Sequence, residues 1–230
     1  MSAADLHPGS TAAEVSAALA ALEDPKARAI NERHGDDHGV NLTKLRAVAK
    51  QLKRNPQLAR ELWATSGSPE RLVALLISGP KDYDAAELDA MLRAARIPKV
   101  RDWLVNYIIK KSPHAEELRV AWFTDPDPQL AGSGWALTSE RVIKRPDGLD
   151  LDGLLDQIEA EMGSAPESLQ WAMNECLAQI GIHHEELRER ALAIGNRLQV
   201  LADYPTSPGC TSPFAPIWIT EMVSRQGSTA

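Results

Sequence analysis

Along most of the chain, apolar side chains recur every three or four residues, the spacing of one helix face. Thr11 and Glu14 form a capping-box signature just ahead of Val15, Leu19 and Leu22. Leu42, Leu45, Val48, Ala49 and Leu52 make a clean stripe, with Lys44, Lys50, Lys53 and Arg54 off it. The same period predicts helices over 56–66, 69–78, 85–95, 100–111, 113–122, 128–143, 150–162, 166–180, 184–198 and 214–225. Prolines at 25, 56, 69, 80, 98, 113, 126, 146 and 166 punctuate these segments, as expected of a residue that starts helices well and interrupts them badly. Only Leu198–Leu201 approaches strand alternation, and weakly. The pattern predicts an all-α fold.

About a dozen short helices do not make a four-helix bundle; they suggest stacked helix pairs. Trp63, Trp103, Trp135 and Trp171 stand 40, 32 and 36 residues apart, near the period of HEAT-type repeats, although Trp122 and Trp218 fall outside it. The expected architecture is therefore an α-solenoid, a HEAT-like superhelix. It would occupy 11–230 as a single repeat domain, behind a flexible N-terminal tail over 1–10.

Composition narrows the picture further. With 43% hydrophobic and 25% charged residues among 230, the chain can bury a sizeable core, and wholesale disorder is excluded. Its longest aliphatic run, Leu72–Ile77, is far short of the ~20 residues that span a bilayer. Residues 1–10 carry no Lys or Arg, and two cysteines cannot build a disulfide framework, so the expected location is the cytoplasm, with no membrane partner.

The net charge of −7 hides an asymmetry. Nine basic residues between Lys26 and Arg60 face only Glu32, Asp36 and Asp37. A second basic stretch, Arg93, Arg96, Lys99, Arg101, Lys110 and Lys111, faces Asp102 alone. From Asp147 to Glu189 eleven acids oppose the single Arg188. A polyanion would find its footing on the N-terminal half, and a basic protein partner on the acidic 147–189 region. The plainer reading of each basic run is a solvated helix face.

Candidate chemistry is sparse. His34, Asp36, Asp37 and His38 offer four potential metal ligands, but Gly35 and Gly39 mark a loop without ordered ligand spacing, and no metal site is expected. His183-His184-Glu185-Glu186 reads as a helix start, its glutamates suited to the positive end of the dipole. Cys210 sits in a tight Pro-Gly loop and reads as a packed thiol rather than a nucleophile. On the helix from Val100, the positions Val100, Trp103, Leu104, Tyr107 and Ile108 form the expected buried stripe. Asp102 and Asn106 share another face near Arg101 and Lys110, where spacing alone favours a surface ion pair. Gly132 and Gly134 call for either close helix packing or backbone approach to a phosphate.

Several motifs carry a family resemblance. Gly39-Val40, Leu45-Arg46, Ala49-Lys50, Leu58-Ala59, Leu62-Trp63 and Glu70-Arg71 resemble the opening motifs of the DNA alkylation repair, AlkD-like proteins. Asn174-x-Cys176, Ile180-Gly181 and the run Gly209–Pro216 resemble a bacterial branch of the same group, and the likeness spans roughly 25–226.

The resemblance implies HEAT-like helix pairs whose concave, basic face holds duplex DNA, and a glycosylase that releases N3- or N7-alkylated purines without a cofactor. In such enzymes a carboxylate stabilises the positive sugar, tryptophan faces meet the cationic nucleoside, and an arginine holds the backbone. The alignment places Asp102 at the family's tryptophan position and Asn106 at its catalytic aspartate; Gly132 falls near the arginine, and Trp171 near the second tryptophan. The implied site residues are Asp102 and Asn106 for catalysis. Lys44, Arg46, Lys50, Lys53, Arg54, Arg101 and Lys110 are the implied DNA contacts. A monomer is expected, and a catalytically inactive DNA-binding or protein-interaction scaffold is the alternative.

Overall fold

The computed structural model describes residues 5–227, and every regular element among them is helical. The chain divides into two compact units, Met1–Ala115 and Glu116–Ala230. Of the expected N-terminal tail, residues 1–4 lie outside the described part. Leu6 and Ser10 are buried, His7, Pro8 and Gly9 between them are exposed, and the Pro8 carbonyl accepts from Asn55.

The first unit contains α1 (Ala12–Ala20), α2 (Pro25–Glu32), α3 (Leu42–Leu52), α4 (Pro56–Ala64), α5 (Ser68–Ile77), α6 (Ala85–Ala94) and α7 (Pro98–Trp103). Thr11 and Glu14 make the expected capping box, each side chain bonding the other's backbone N–H. Asp84 and Glu87 repeat it at α6. The aliphatic run 72–77 lies in α5, which packs against α3, α4 and α7 and buries Leu72, Val73, Ala74, Leu75 and Ile77; a helix apolar nearly all round is a central one. α2 escapes the apolar-spacing reading because it buries no residue. It forms on local chemistry instead: Pro25 opens it and the Asp24 carboxylate accepts from the N–H groups of Lys26 and Ala27.

Beyond α7 the expected continuous helix changes pitch, to a π turn over Leu104–Ile108 and a 3₁₀ turn over Ile109–Lys111. A π turn holds about one extra residue, which rotates the downstream side chains by roughly 100°. Val105 and Ile109 therefore join Val100, Trp103, Leu104 and Ile108 in the core, while Tyr107, expected inside, is only half-buried.

The second unit holds the rest of α8 (Ala115–Phe123), then α9 (Pro128–Lys144), α10 (Leu151–Glu161), α11 (Glu167–His183), α12 (Glu185–Leu198) and α13 (Ala215–Gly227). α11 is its central helix, packed against α9, α10, α12 and α13. His183 ends α11, and Glu185 and Glu186 open α12, as expected for that motif. α9 runs unbroken through both glycines. A Cβ on Gly134 would stand 2.7 Å from the Phe123 amide nitrogen, so close packing on the end of α8 explains that position.

Candidate nucleic-acid interface

The basic residues of α3 divide by what they touch. Lys44 donates to the Leu22 carbonyl at 3.3 Å, tying α3 to the segment that ends α1. Arg54 is held in an ion pair by Asp82. Arg46, Lys50 and Lys53 instead fall at i, i+4 and i+7, one exposed stripe beside the buried Leu45–Leu52 face. Lys53 closes the helix at φ 56° and ψ −169°, a conformation that suits glycine and strains a lysine.

Arg46 links this stripe to α7. Its guanidinium lies 5.8 Å from the ring centroid of Trp103, which itself sits 5.1 Å from Tyr107; Lys111 stands 6.0 Å from the Tyr107 ring. Trp103 is 8% exposed, a core residue as its spacing predicted, with the Arg46 guanidinium over its ring. Around the same helix, Lys99, Arg101 and Lys110 act electrostatically on the Asp102 carboxyl. The structure thus brings Arg101 and Lys110 to Asp102 and Arg46 to the neighbouring Trp103, and adds Lys99, Lys111 and Tyr107, which the sequence does not mark as site residues.

Asp102 is exposed by area, yet crowded enough by protein to be partly desolvated. That desolvation pushes its carboxyl above the ordinary value of 3.8. Arg101 and Lys99 pull it back, and Asp36 pushes it up again. Asp36 comes from the loop between α2 and α3, which Gly35 brings against Pro98. Within that loop Asp36 and His38 turn inward and Asp37 faces solvent. Asp36 Oδ1 and His38 Nε2 are buried without a hydrogen-bond partner. His38 Nδ1 accepts from the Val40 N–H, which leaves the proton on Nε2. Sequence spacing hid this role for Asp36, which shows only in the burial of its side chain.

Asn106 is exposed one turn past Asp102, inside the π turn. Its amide carries no charge with which to stabilise a cation. No group of three or more His, Cys, Asp or Glu among the described residues is arranged to hold a metal ion. Among those residues, no helix is long and apolar enough to cross a membrane.

Residues 15–218 match the family described as DNA alkylation repair enzyme. The chain belongs to that family. Relatives within reach are distant. A Listeria innocua protein, Lin0241, itself uncharacterized, is 23% identical over 186 residues, which cover 76% of this chain and 80% of that one. A solved structure, from a new family of proteins related to the HEAT-like repeat DNA glycosylases with affinity for branched DNA structures, superposes with a TM-score of 0.72. It is 22% identical and covers 94% of this chain and 95% of its own. The all-α architecture of this DNA alkylation repair family member is accordingly the HEAT-like repeat fold.

Proposed function

We propose that this member of the DNA alkylation repair family binds DNA through its first unit. Duplex arms would lie against the Arg46–Lys50–Lys53 stripe and the cationic cluster of Lys99, Arg101 and Lys110. The observation that carries the reading is the cation–π contact of Arg46 with Trp103, because it joins the two basic elements into one surface. Charge supports the same unit: residues 1–115 carry 17 basic and 14 acidic side chains, against 8 and 18 over 116–230. Lys44 and Arg54, already bonded within the protein, contribute less.

Branched DNA is the preferred form in this reading, supported by what is said of the structural neighbour. The test is a binding titration with a plain duplex and a four-way junction of equal length, across a range of salt. Tighter junction binding with a steep salt slope is expected, and a Lys50/Lys53 double alanine variant should flatten that slope by about two. Equal affinity for both forms removes the branch preference. An unchanged slope in the variant removes the surface.

One observation favours a second reading, base excision. Asp102 is a partly desolvated carboxylate next in sequence to Trp103, with Arg101, Lys99 and Lys110 acting on it, which suits stabilisation of a cationic sugar after an alkylated purine departs. In it Asp102, rather than Asn106, carries the charge. Quantifying free 7-methylguanine and 3-methyladenine from methylated duplex decides the matter. Release that Asp102→Asn abolishes supports excision, and no release from folded protein leaves the binding function alone.

A further inference from the structure

The longest connection between helices of the second unit, residues 199–214, folds back against α11 and α13 instead of bridging directly. Asn174 of α11, itself buried, fastens its far end. The Asn174 amide donates to the Pro213 carbonyl at 2.8 Å and accepts from the Ala215 N–H at 3.3 Å. Long ordered loops of this kind are usually functional. Here the loop closes a hollow of about 270 Å³ with Trp171, Tyr204, Cys210 and Trp218 in its wall.

Trp171 and Tyr204 meet edge to face at 5.1 Å, and remain 38% and 46% exposed. Two large aromatic side chains left in water at the mouth of an apolar hollow mark a place where something stacks. Charge says what kind of guest. Glu167 and Glu175 flank Trp171 one turn away on either side, and Asp203 precedes Tyr204. Arg225, the one basic residue between 199 and 227, is already engaged by Glu221 at 3.2 Å and by the Thr211 hydroxyl at 3.1 Å. Carboxylates next to Trp171 and Tyr204 disfavour a polyanion there and favour a flat cation on the exposed rings.

We propose that this hollow docks an arginine side chain from a basic segment of a partner protein. A guanidinium is planar, permanently charged and weakly hydrated, so it stacks on Trp171 and Tyr204 where an ammonium would keep its water. The loop hydroxyls of Thr206 and Ser207 supply acceptors for its N–H groups. The site does not depend on DNA binding by the first unit.

The protein carries its own reporter. Cys176 is buried, with its thiol pushed up to about 12 by desolvation, whereas Cys210 is exposed in the wall of the hollow. Only Cys210 should react quickly with a maleimide. A short peptide alternating glycine and arginine, at near-physiological salt, should slow that reaction. The protection factor is about 1 + [L]/Kd, so roughly tenfold when the peptide stands near ten times Kd. Trp171→Ala and Tyr204→Ala should each remove the protection while circular dichroism reports intact helix, and Trp171→Phe should retain most of it. Unchanged labelling at the highest soluble peptide concentration overturns the proposal. So does equal protection by the same peptide with citrulline for arginine, equal protection by single-stranded DNA, or protection that survives both alanine variants.

Discussion

Gly134 lies against the backbone of Phe123 so closely that a Cβ there would stand 2.7 Å from the amide nitrogen and 2.8 Å from Cα. Backbone at that distance cannot swing aside like the end of a flexible side chain. Gly132, one turn fragment earlier in α9, is different: its added Cβ would meet only the Ser168 carbonyl at 3.7 Å and Ala172 Cβ at 4.0 Å. Two neighbouring glycines in one helix therefore predict opposite outcomes. Gly134→Ala should destabilise the fold by about 1–3 kcal/mol through overpacking, and Gly132→Ala should stabilise it by about 0.5–1 kcal/mol through helix propensity. Urea midpoints for the two variants test both signs.

Lys53 combines a strained backbone with a place in the basic stripe. Lys53→Gly should relieve strain on the order of 1 kcal/mol, raising the melting temperature, while weakening DNA binding. Lys53→Ala keeps the strain and loses only the charge, so it should weaken binding to a similar degree without the gain in stability. A Lys53→Gly protein no more stable than Lys53→Ala would show that the backbone carries no strain.

Asp102 makes stability depend on pH in a defined direction. Its folded-state pKa is raised, so the folded protein holds a proton that the unfolded chain releases as pH climbs past the ordinary value of 3.8. Native stability therefore falls as pH rises from that value through the raised one, and the deficit persists above it. Asp102→Asn should be more stable than the wild type near neutral pH, and the difference should vanish below about pH 3.8, the ordinary value. Denaturant unfolding at several pH values reads this out; a difference that grows toward acid would reverse the sign.

Asn174 satisfies two backbone groups at once, the Pro213 carbonyl in the loop over 199–214 and the N–H of Ala215 that opens α13. Asn174→Ala leaves the Pro213 carbonyl and the buried Ala215 N–H without partners, which should lower stability by about 1–3 kcal/mol. Freed at its anchor, the loop should also expose Cys210 more fully, so maleimide labelling should quicken.

Local rules wrote much of this fold openly. Thr11 with Glu14, the prolines opening α2, α4 and α7, and the Leu45–Leu52 stripe each act locally, and the structure follows them. Other features depend on partners distant in sequence. Nothing in the apolar spacing of Val100–Ile108 announces a π turn, because Val105 and Ile109 read equally well as residues of an adjacent face until neighbouring helices bury them. Asp36 is 66 residues from Asp102 in sequence, and only the approach of Gly35 to Pro98 brings their loop and helix together. The basic cluster was visible as composition; that Lys44 and Arg54 are engaged by Leu22 and Asp82, and Arg46 by Trp103, needed the fold.

The uneven split of charge between the two units has a consequence at the bench. A protein with an isoelectric point near 5.4 is expected on an anion exchanger and nowhere near an immobilised sulfated polysaccharide. Here the acidic second unit should hold the resin of positive charge while the first unit's lysines and arginines hold heparin, from one buffer at one pH. Retention by two opposed chromatographies is behaviour that a single net charge forbids and a charge-segregated chain permits.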